Sequence, residues 1–356
     1  MQQFGRFLCI SLMGAAWSGM AQMPVTKLPS APPVPPEPAD HTIRIPVHVE
    51  TNKGVPVPGL KQSDFTVFDN KHAVQITSFS ELNSAKQPVE AILVFDAVNS
   101  TFQSLTDEKD GVEKFLRETG PKSPIPMSLA LLTSEGLRVN KGFTQDTAAM
   151  IKLVDATETS LQGTKRGAGF WEAAERVQAS VNALGQLAQY AATLPGRKLI
   201  LWMSPGWPLL PGPEVDFDGR QHQKVFQDVV AFSALLRRGN ITVDSLDPLG
   251  STESLLQQQH YENYTHDVKK PNDSEPGNLG LQVLALHSGG LVLNSNDVAV
   301  EISQAIADAQ DWYELQFQPS SDHKPGEYHR LEVRVNQTGV QVRTIRGYYE
   351  PMSADH

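Results

Sequence analysis

Short oxygen-bearing side chains follow an apolar run in the first third of the chain, where Asp96 is succeeded by Asn99 and Ser100. The run before them, residues 91–95, is continuous (AILVF), which is typical of a parallel strand buried on both faces. Open α/β sheets bind ligands at the carboxyl ends of their strands, so Asp96 is a candidate binding residue. The alternative is that Asp96 or Ser100 simply caps the helix that follows.

Other chemistries that a sequence can reveal find little support. Four scattered histidines form no tight His-x-x-x-His pair of the kind that zinc sites use, so surface or core roles are favoured for His222, His260, His266 and His287. The sequence has no Gly-x-Ser-x-Gly nucleophile elbow and no phosphate-binding loop ending in Gly-Lys-Ser/Thr. Because no nucleophile–base pair can be named, an enzyme is disfavoured. A hydrolase with catalytic groups in the 207–280 loops stays an alternative.

The elements that would position Asp96 alternate between strands and helices. Beyond the first strand, buried strands are predicted at 127–133 and 198–203, and a further strand at 241–246. Helices are predicted at 106–118, 147–156, 170–194, 223–239 and 298–309. This alternation predicts an α/β fold with a doubly wound, mostly parallel sheet and helices on both faces. The polar stretch at 250–278 has no clear period and is either a mobile loop or a partly helical insert.

Two shorter stretches with the period of a β-strand flank the α/β part, at 42–82 and from residue 312 onwards. About 40 residues are marginal for an independent core, so we expect both stretches to pair into one β-sandwich. The predicted division is an N-terminal β segment at 41–85, an α/β domain at 86–311 and a C-terminal β segment at 312–351.

The first 21 residues have the features of a signal peptide. Arg6 supplies a short positive region, residues 7–17 are apolar (FLCISLMGAAW), and the small residues Gly19 and Ala21 suit cleavage. An apolar helix that stays uncleaved is the alternative, but the run is too short for a stable membrane span. Residues 22–40 are rich in proline and predict an extended linker or a disordered tail. We therefore expect an exported protein, in the periplasm or cell envelope or secreted.

Charge and cysteine content exclude several classes of function. The chain has 40 acidic and 30 basic residues, for a formal net charge of -10, which argues against nucleic-acid binding. Its one cysteine, Cys9, lies in the signal region. After cleavage no cysteine remains for disulfides, thiolate metal sites or a thiol nucleophile.

The α/β stretch resembles a von Willebrand factor A-type domain over residues 88–310, through the strand that ends in Asp96 and through Gly163-Thr164 before the long helix. The flanking phrases extend the resemblance to nearly the whole mature chain: VPVPGLKQSDFTVFDN (55–70), YELQFQP (313–319) and VRTIRGYYEP (342–351). They resemble a bacterial group, the von Willebrand factor A-related proteins that are abundant in Acidobacteria.

The resemblance implies a metal-ion-dependent adhesion site for Mg²⁺ or Mn²⁺, in which oxygens on converging loops bind a hard cation. Asp96 matches the first carboxylate, Ser100 the second serine and Thr164 the threonine of that site. Val98 stands in place of the first serine, and Ser204 stands in place of a later aspartate. The site is therefore expected to be degenerate.

Because of these departures, two roles remain open for the side-chain oxygens of Asp96, Ser100 and Thr164. They bind a cation weakly, with Asp216 or Asp218 as a substitute carboxylate, or they hydrogen-bond one another and local backbone amides. In either case we expect a non-enzymatic protein-binding or adhesion module with an unidentified protein partner. The predicted contacts are Asp96, Asn99, Ser100, Thr164 and Ser204. A structural envelope component with a vestigial site is the alternative.

Overall fold

The computed structural model describes residues 41–140, 142–157, 170–209, 218–249, 261–319 and 324–352. The predicted signal peptide and linker lie outside these residues, as do Thr164, Asp216 and His260. Within them the chain forms an α/β domain and a β-sandwich to which both ends of the chain contribute, which confirms the predicted fold class.

In chain order the strands are β1 (Ile43–Thr51), β2 (Phe65–Asp69), β3 (His72–Val74), β4 (Ile76–Asn83), β5 (Val89–Asp96), β6 (Lys122–Thr133), β7 (Gly136–Val139), β8 (Thr144–Asp146), β9 (Arg197–Met203), β10 (Ile241–Leu246), β11 (Val292–Leu293), β12 (Asp311–Phe317), β13 (Tyr328–Val335), β14 (Val340–Thr344) and β15 (Gly347–Tyr349). The helices are α1 (Phe102–Thr119), α2 (Thr147–Thr157), α3 (Phe170–Ala192), α4 (Gly219–Arg238), α5 (Leu281–His287) and α6 (Val298–Asp308).

The central sheet has the strand order β11-β10-β9-β5-β6-β7, with β8 also pairing with β6. Neighbouring strands among β11, β10, β9, β5 and β6 are parallel, and β7 and β8 run antiparallel to β6. Apolar side chains leave both faces of β5 and pack on helices α3, α4 and α5 on one side and on α1, α2 and α6 on the other. The unbroken apolar run of β5 follows from this double burial.

The β-sandwich consists of sheets with the orders β14-β1-β12-β4 and β15-β13-β2-β3. Strand β1 lies between two strands from the other end of the chain, with Ile45 opposite Leu315 on β12 and Val49 opposite Val342 on β14. The inward side chains of both ends form one apolar core. The residue boundaries given above for the three segments stay a prediction.

A buried polar network joins the sandwich to the α/β domain. Arg197, at the start of β9, donates through Nη2 to His48 Nε2 on β1 (3.1 Å), and its guanidinium lies 5.0 Å from the ring centre of Trp312 on β12. His48 Nδ1 lies 3.7 Å from Asp308 Oδ1 on α6, and Asp308 also pairs with Arg343 on β14. Burial lowers the pKa of His48 well below its usual value, so its ring is neutral and its Nε2 accepts a hydrogen bond from the Arg197 guanidinium.

Local differences from the sequence predictions occur mainly at element ends. Within the N-terminal β stretch the chain forms β3 and β4 with a break at Gln75. The described part of the 250–278 stretch contains 3-10 turns at Pro271–Asp273 and Pro276–Leu279, which favours the partly helical insert in that part. Among the described residues, no helix combines the length and apolar character that crossing a membrane requires.

Candidate functional site

The carboxyl ends of β5, β9 and β10 lie side by side in the central sheet. Met203, the last residue of β9, is in register with Phe95 of β5 and Leu246 of β10. The residues that follow these three positions form a row across the sheet: Asp96, Ser204 and Asp247. We call residues 96–102, 204–207 and 247–249 the strand-end edge.

The Asp96 carboxylate is fully buried and accepts four hydrogen bonds. Its Oδ1 accepts from the backbone N–H groups of Val98 (3.1 Å) and Asn99 (3.0 Å). Its Oδ2 accepts from Asn99 Nδ2 (2.8 Å) and Trp202 Nε1 (2.9 Å). Burial raises the pKa of Asp96, and the four hydrogen bonds oppose this rise because they stabilise the charged form.

The Trp202 indole is one site group that the sequence interpretation missed. Trp202 pairs with Val94 across β5 and β9, and Asp96 is two residues beyond Val94. Because side chains alternate along a strand, Asp96 and Trp202 point to the same face of the sheet. A buried tryptophan usually donates its N–H to an acceptor, so a tryptophan in the predicted strand at 198–203 indicates that such an acceptor exists. Only the strand register identifies the acceptor as Asp96.

Asn99 joins the turn after β5 to helix α3. Its Nδ2 also donates to Ser180 Oγ (2.7 Å), and Ser180 Oγ donates to the Arg176 carbonyl within α3 (2.8 Å). Trp171 precedes Ser180 by nine residues in α3. At 1.5 Å per residue, the first turns of this helix therefore extend roughly 13 Å beyond the level of Asn99.

Helix α1 begins at the strand-end edge with two hydroxyl residues in different roles. Thr101 is the N-cap, and its Oγ1 accepts from a backbone N–H of the first turn (3.0 Å). Ser100 Oγ instead donates to Glu108 Oε1 on α1 (2.7 Å), and both side chains are buried. The expectation that Asp96 or Ser100 caps this helix is therefore wrong, because Thr101 already supplies the cap.

Glu108 is a fully buried carboxyl group behind the strand-end edge. Its Oε2 has no hydrogen-bond partner among the described residues. Burial raises the pKa of Glu108 well above its usual value; the Ser100 hydrogen bond opposes the rise, and the charges of Asp96 and Asp247 add to it. The surroundings of Glu108 therefore favour its neutral, protonated form.

Replacing Glu108 with glutamine is expected to stabilise the protein increasingly as the pH rises. The folded-state pKa lies above the unfolded value of 4.5, so the folded state holds the proton more tightly. The stability that this proton gives the wild type is fully present below pH 4.5 and is lost as the pH rises through the folded-state pKa. Within that window one group changes the free energy of unfolding by at most about 1.4 kcal/mol per pH unit. Glutamine keeps an acceptor for Ser100 and does not ionise.

Urea unfolding of both proteins from about pH 4 to about pH 9 measures this difference. Glu118→Gln, on the exposed side of the same helix, is the matched control and should parallel the wild type. Parallel curves for Glu108→Gln and wild type would show that Glu108 has no raised pKa.

The two departures from the adhesion-site pattern are also buried. Ser204 Oγ accepts from the backbone N–H of Gly206 (3.1 Å), and Val98 packs in the apolar core on the α3 side of the sheet. Asp218, which was considered as a substitute carboxylate, is the N-cap of α4 and accepts from two backbone N–H groups of that helix (2.9 and 2.8 Å).

The described residues of the strand-end edge do not fit a divalent cation. Each Asp96 oxygen receives two N–H donors, whose hydrogens occupy the directions from which a cation would bind. Ser100 Oγ donates its proton to Glu108, and the valine at position 98 has no oxygen to offer. The described part of the chain also contains no group of three His, Cys, Asp or Glu side chains that could hold a metal ion. A Mg²⁺ or Mn²⁺ site on Asp96 and Ser100 would require these hydrogen bonds to break.

The described histidines of the 207–280 region contact backbone carbonyls. His222 Nδ1 donates to the Ser274 carbonyl (2.7 Å), and His266 Nδ1 donates to the Asn263 carbonyl (2.8 Å). In the described residues, the hydrogen bonds that reach Asp96 come from amides and an indole. These contacts give the hydrolase alternative no added support.

No family model and no curated protein matches this chain. Among solved structures, it is similar to a von Willebrand factor type A protein from Catenulispora acidiphila, at 12% identity, with 88% of this chain and 75% of that chain covered and a TM-score of 0.34. The α/β fold class itself rests on the strand order of this chain and on the helices that cover both faces of its central sheet. The chain is also similar to BatB from Bacteroides thetaiotaomicron (16% identity, 62% and 98% covered, TM-score 0.33) and to the PilB minor pilin from Streptococcus sanguinis (11%, 62% and 61%, 0.35).

Such low identities carry over no activity, partner or site residue from these proteins. They also give no support to the narrower resemblance to the Acidobacteria group.

Proposed function

We propose that this chain is an exported, non-enzymatic protein-binding or adhesion module that contacts its partner at the strand-end edge without a metal ion. The observation that carries the proposal is an exposed aromatic side chain of this edge, Phe102, with a second, Trp171, near the start of helix α3, to which Asn99 ties the edge. Phe102, the first residue of α1, is 70% exposed, and Trp171, on the projecting start of α3, is 41% exposed. Aromatic anchors of this kind carry much of the binding energy of protein interfaces.

Buried hydrogen bonds hold the backbone below Phe102. Asp96 fixes residues 98 and 99, Asn99 ties the turn to α3, and Ser100 ties it to α1. A surface that is ordered before binding loses less conformational entropy when the partner docks. This supports a preformed binding edge.

The predicted contact residues divide into two groups under this proposal. The described ones are buried, and we assign them the role of positioning the edge: Asp96, Asn99, Ser100 and Ser204. Thr164 stays a predicted contact on sequence grounds. The exposed aromatic side chains, which the sequence interpretation did not select, would touch the partner.

The partner and compartment follow from sequence features. The net charge of -10 disfavours nucleic acid, so a protein partner is proposed. The signal-like residues 1–21 support export to the periplasm, the cell envelope or the medium. Membership of the Acidobacteria-type group is proposed only on the flanking phrases quoted above.

Replacing Phe102 or Trp171 with serine is expected to reduce partner capture about tenfold or more, because each change removes an aromatic anchor of the interface. The measurement is a pull-down from an envelope extract of the producing organism, in parallel with Mg²⁺ and with a chelator. Val55→Ser is the matched control, because Val55 is 56% exposed and belongs to the sandwich.

Capture that Phe102→Ser and Trp171→Ser leave unchanged would remove the strand-end edge as the binding surface. Capture that the chelator abolishes would instead support a metal-dependent site at Asp96, Ser100 and Thr164. If wild type and Val55→Ser capture nothing, the structural envelope role becomes the better interpretation.

A further inference from the structure

A cavity of about 260 Å³ lies between the α/β domain and the β-sandwich. Its lining comes from β1, α4, α5, the start of β10 and the last strands of the sandwich. Ile241 and Thr242, the first residues of β10, belong to this lining, whereas Asp247 follows the last residue of the same strand. The cavity is therefore at the opposite end of the central sheet from the strand-end edge.

Much of the cavity wall is apolar. The aliphatic side chains that line it are Val229, Leu236, Ile241, Val268, Leu284 and Ile345. An apolar cavity of roughly 150 Å³ is known to hold benzene, so this one has room for a ligand of roughly ten non-hydrogen atoms. Small-molecule sites commonly combine such walls with a few polar groups, often at the boundary between domains.

The polar part of the lining is positively charged. Arg44 on β1 and the adjacent Arg237 and Arg238 on α4 line the cavity, and Glu314 on β12 is the acidic residue among the described lining. His287 on α5 also lines it, and burial lowers the pKa of His287 to about 4, so its ring is neutral near pH 7. The lining therefore attracts anions.

Two of these side chains have hydrogen-bonding groups available to a ligand. The guanidinium of Arg44 and the imidazole of His287 make no hydrogen bond with another described residue. A guanidinium offers a planar set of N–H donors that matches a carboxylate, and a neutral imidazole offers one further N–H.

We propose that this cavity binds a small amphiphilic carboxylate. Arg44 and His287 donate to the carboxylate, Arg237 and Arg238 add positive potential, and the aliphatic wall around Leu284 holds the apolar tail. A fatty-acid-like ligand and the carboxyl terminus of a short peptide share this chemistry. The site is independent of the partner-binding edge proposed above.

Calorimetric titration of the full chain with octanoate tests the proposal, because octanoate has about ten non-hydrogen atoms. The comparison ligand is 1-octanol, which has the same chain length and no charge, and we expect it to bind about tenfold or more weakly. N-acetylleucine is the arm for a peptide carboxyl terminus, and the tighter binder of the two carboxylates identifies the source.

Two substitutions locate the binding to the cavity. Ser233 on α4 lines the cavity, so Ser233→Phe is expected to fill the space and abolish octanoate binding. Arg44→Gln is expected to weaken octanoate binding about fivefold or more and to leave 1-octanol binding unchanged. Arg334→Gln removes the same charge from an exposed position on β13 and is the control.

Equal affinity for octanoate and 1-octanol would overturn the proposal, as would the absence of heat with both octanoate and N-acetylleucine. Unchanged octanoate binding in both Ser233→Phe and Arg44→Gln would place the ligand elsewhere and would also overturn it. Circular dichroism establishes that each variant is folded. If Ser233→Phe does not fold, Arg44→Gln decides, because Arg44 is an exposed strand residue.

Discussion

Replacing Asp96 with alanine is expected to lower the free energy of unfolding by roughly 3–5 kcal/mol. The change removes the acceptor for two backbone N–H groups, the Asn99 amide and the Trp202 indole, at a position without solvent exposure. A buried donor left without a partner costs about 1–3 kcal/mol. Water entering the vacated space would satisfy part of this set, so the total falls below the sum of four donors.

Urea unfolding followed by tryptophan fluorescence measures the loss, since Trp202 lies at the site. Asp107→Ala, on the exposed side of α1, is the matched control and should stay within about 0.5 kcal/mol of wild type. Asp96→Asn should be intermediate, because it keeps one acceptor but turns an NH₂ group toward other donors. An Asp96→Ala protein as stable as wild type would show that this carboxylate does not organise the edge.

The same assay tests metal binding for the whole chain, including Thr164. A cation that binds only the folded state at a hundredfold excess over its Kd would stabilise it by about 2.7 kcal/mol. Because Asp96 already accepts four hydrogen bonds, we expect millimolar Mg²⁺ or Mn²⁺ to leave wild-type stability unchanged. Stabilisation that disappears in Ser100→Ala would instead show that the hydrogen bonds rearrange around an ion.

The burial of Asp96 determines which residues can be used to test binding at the strand-end edge. A loss of partner capture in Asp96→Ala would report a damaged turn as readily as a lost contact, because Asp96 is buried below the surface. Phe102 and Trp171 are exposed, so replacing them changes the surface and leaves the hydrogen bonds of Asp96 in place.

The sheet could be predicted because burial on both faces leaves an apolar run in the sequence. Residues 91–95 within β5 and 199–203 within β9 are runs of this kind, and each forms a central strand. The pairing of the two flanking segments into one β-sandwich could be predicted from their length, since neither segment is long enough for its own core. Both inferences depend on the amount of apolar surface, which a single sequence displays directly.

The chemistry of the site could not be predicted in the same way, because it depends on which distant residues meet. Trp202 reaches Asp96 only through the register of β9 against β5. Glu108 is a charged residue of α1, and its burial follows from the packing of α1 on β5 and α6. The sequence suggested Asp96 or Ser100 as the possible cap of α1, whereas the backbone turn after β5 places Thr101 at that position.

Removing residues 312–356 is expected to unfold residues 43–83 as well. Strand β1 pairs with β12 and β14, and β4 pairs with β12, so these strands lose every partner strand that the described residues provide. The strand pairing that remains in this region is the β2–β3 hairpin. An isolated two-stranded hairpin is marginally stable at best in water.

Hydrogen exchange measures this outcome, and the amides of β1 should lose essentially all protection in the truncated chain. Removing residues 41–85 is the reciprocal experiment and should expose the amides of β12 and β14, while a chain that ends at Met352 keeps the sandwich strands and is the control. If β1 stays protected after the truncation, the N-terminal segment has a core of its own. If both deletions unfold the sandwich, its two halves form one folding unit. In that case the α/β domain is held at both of its ends, and the proposed carboxylate cavity exists only when the two ends of the chain have come together.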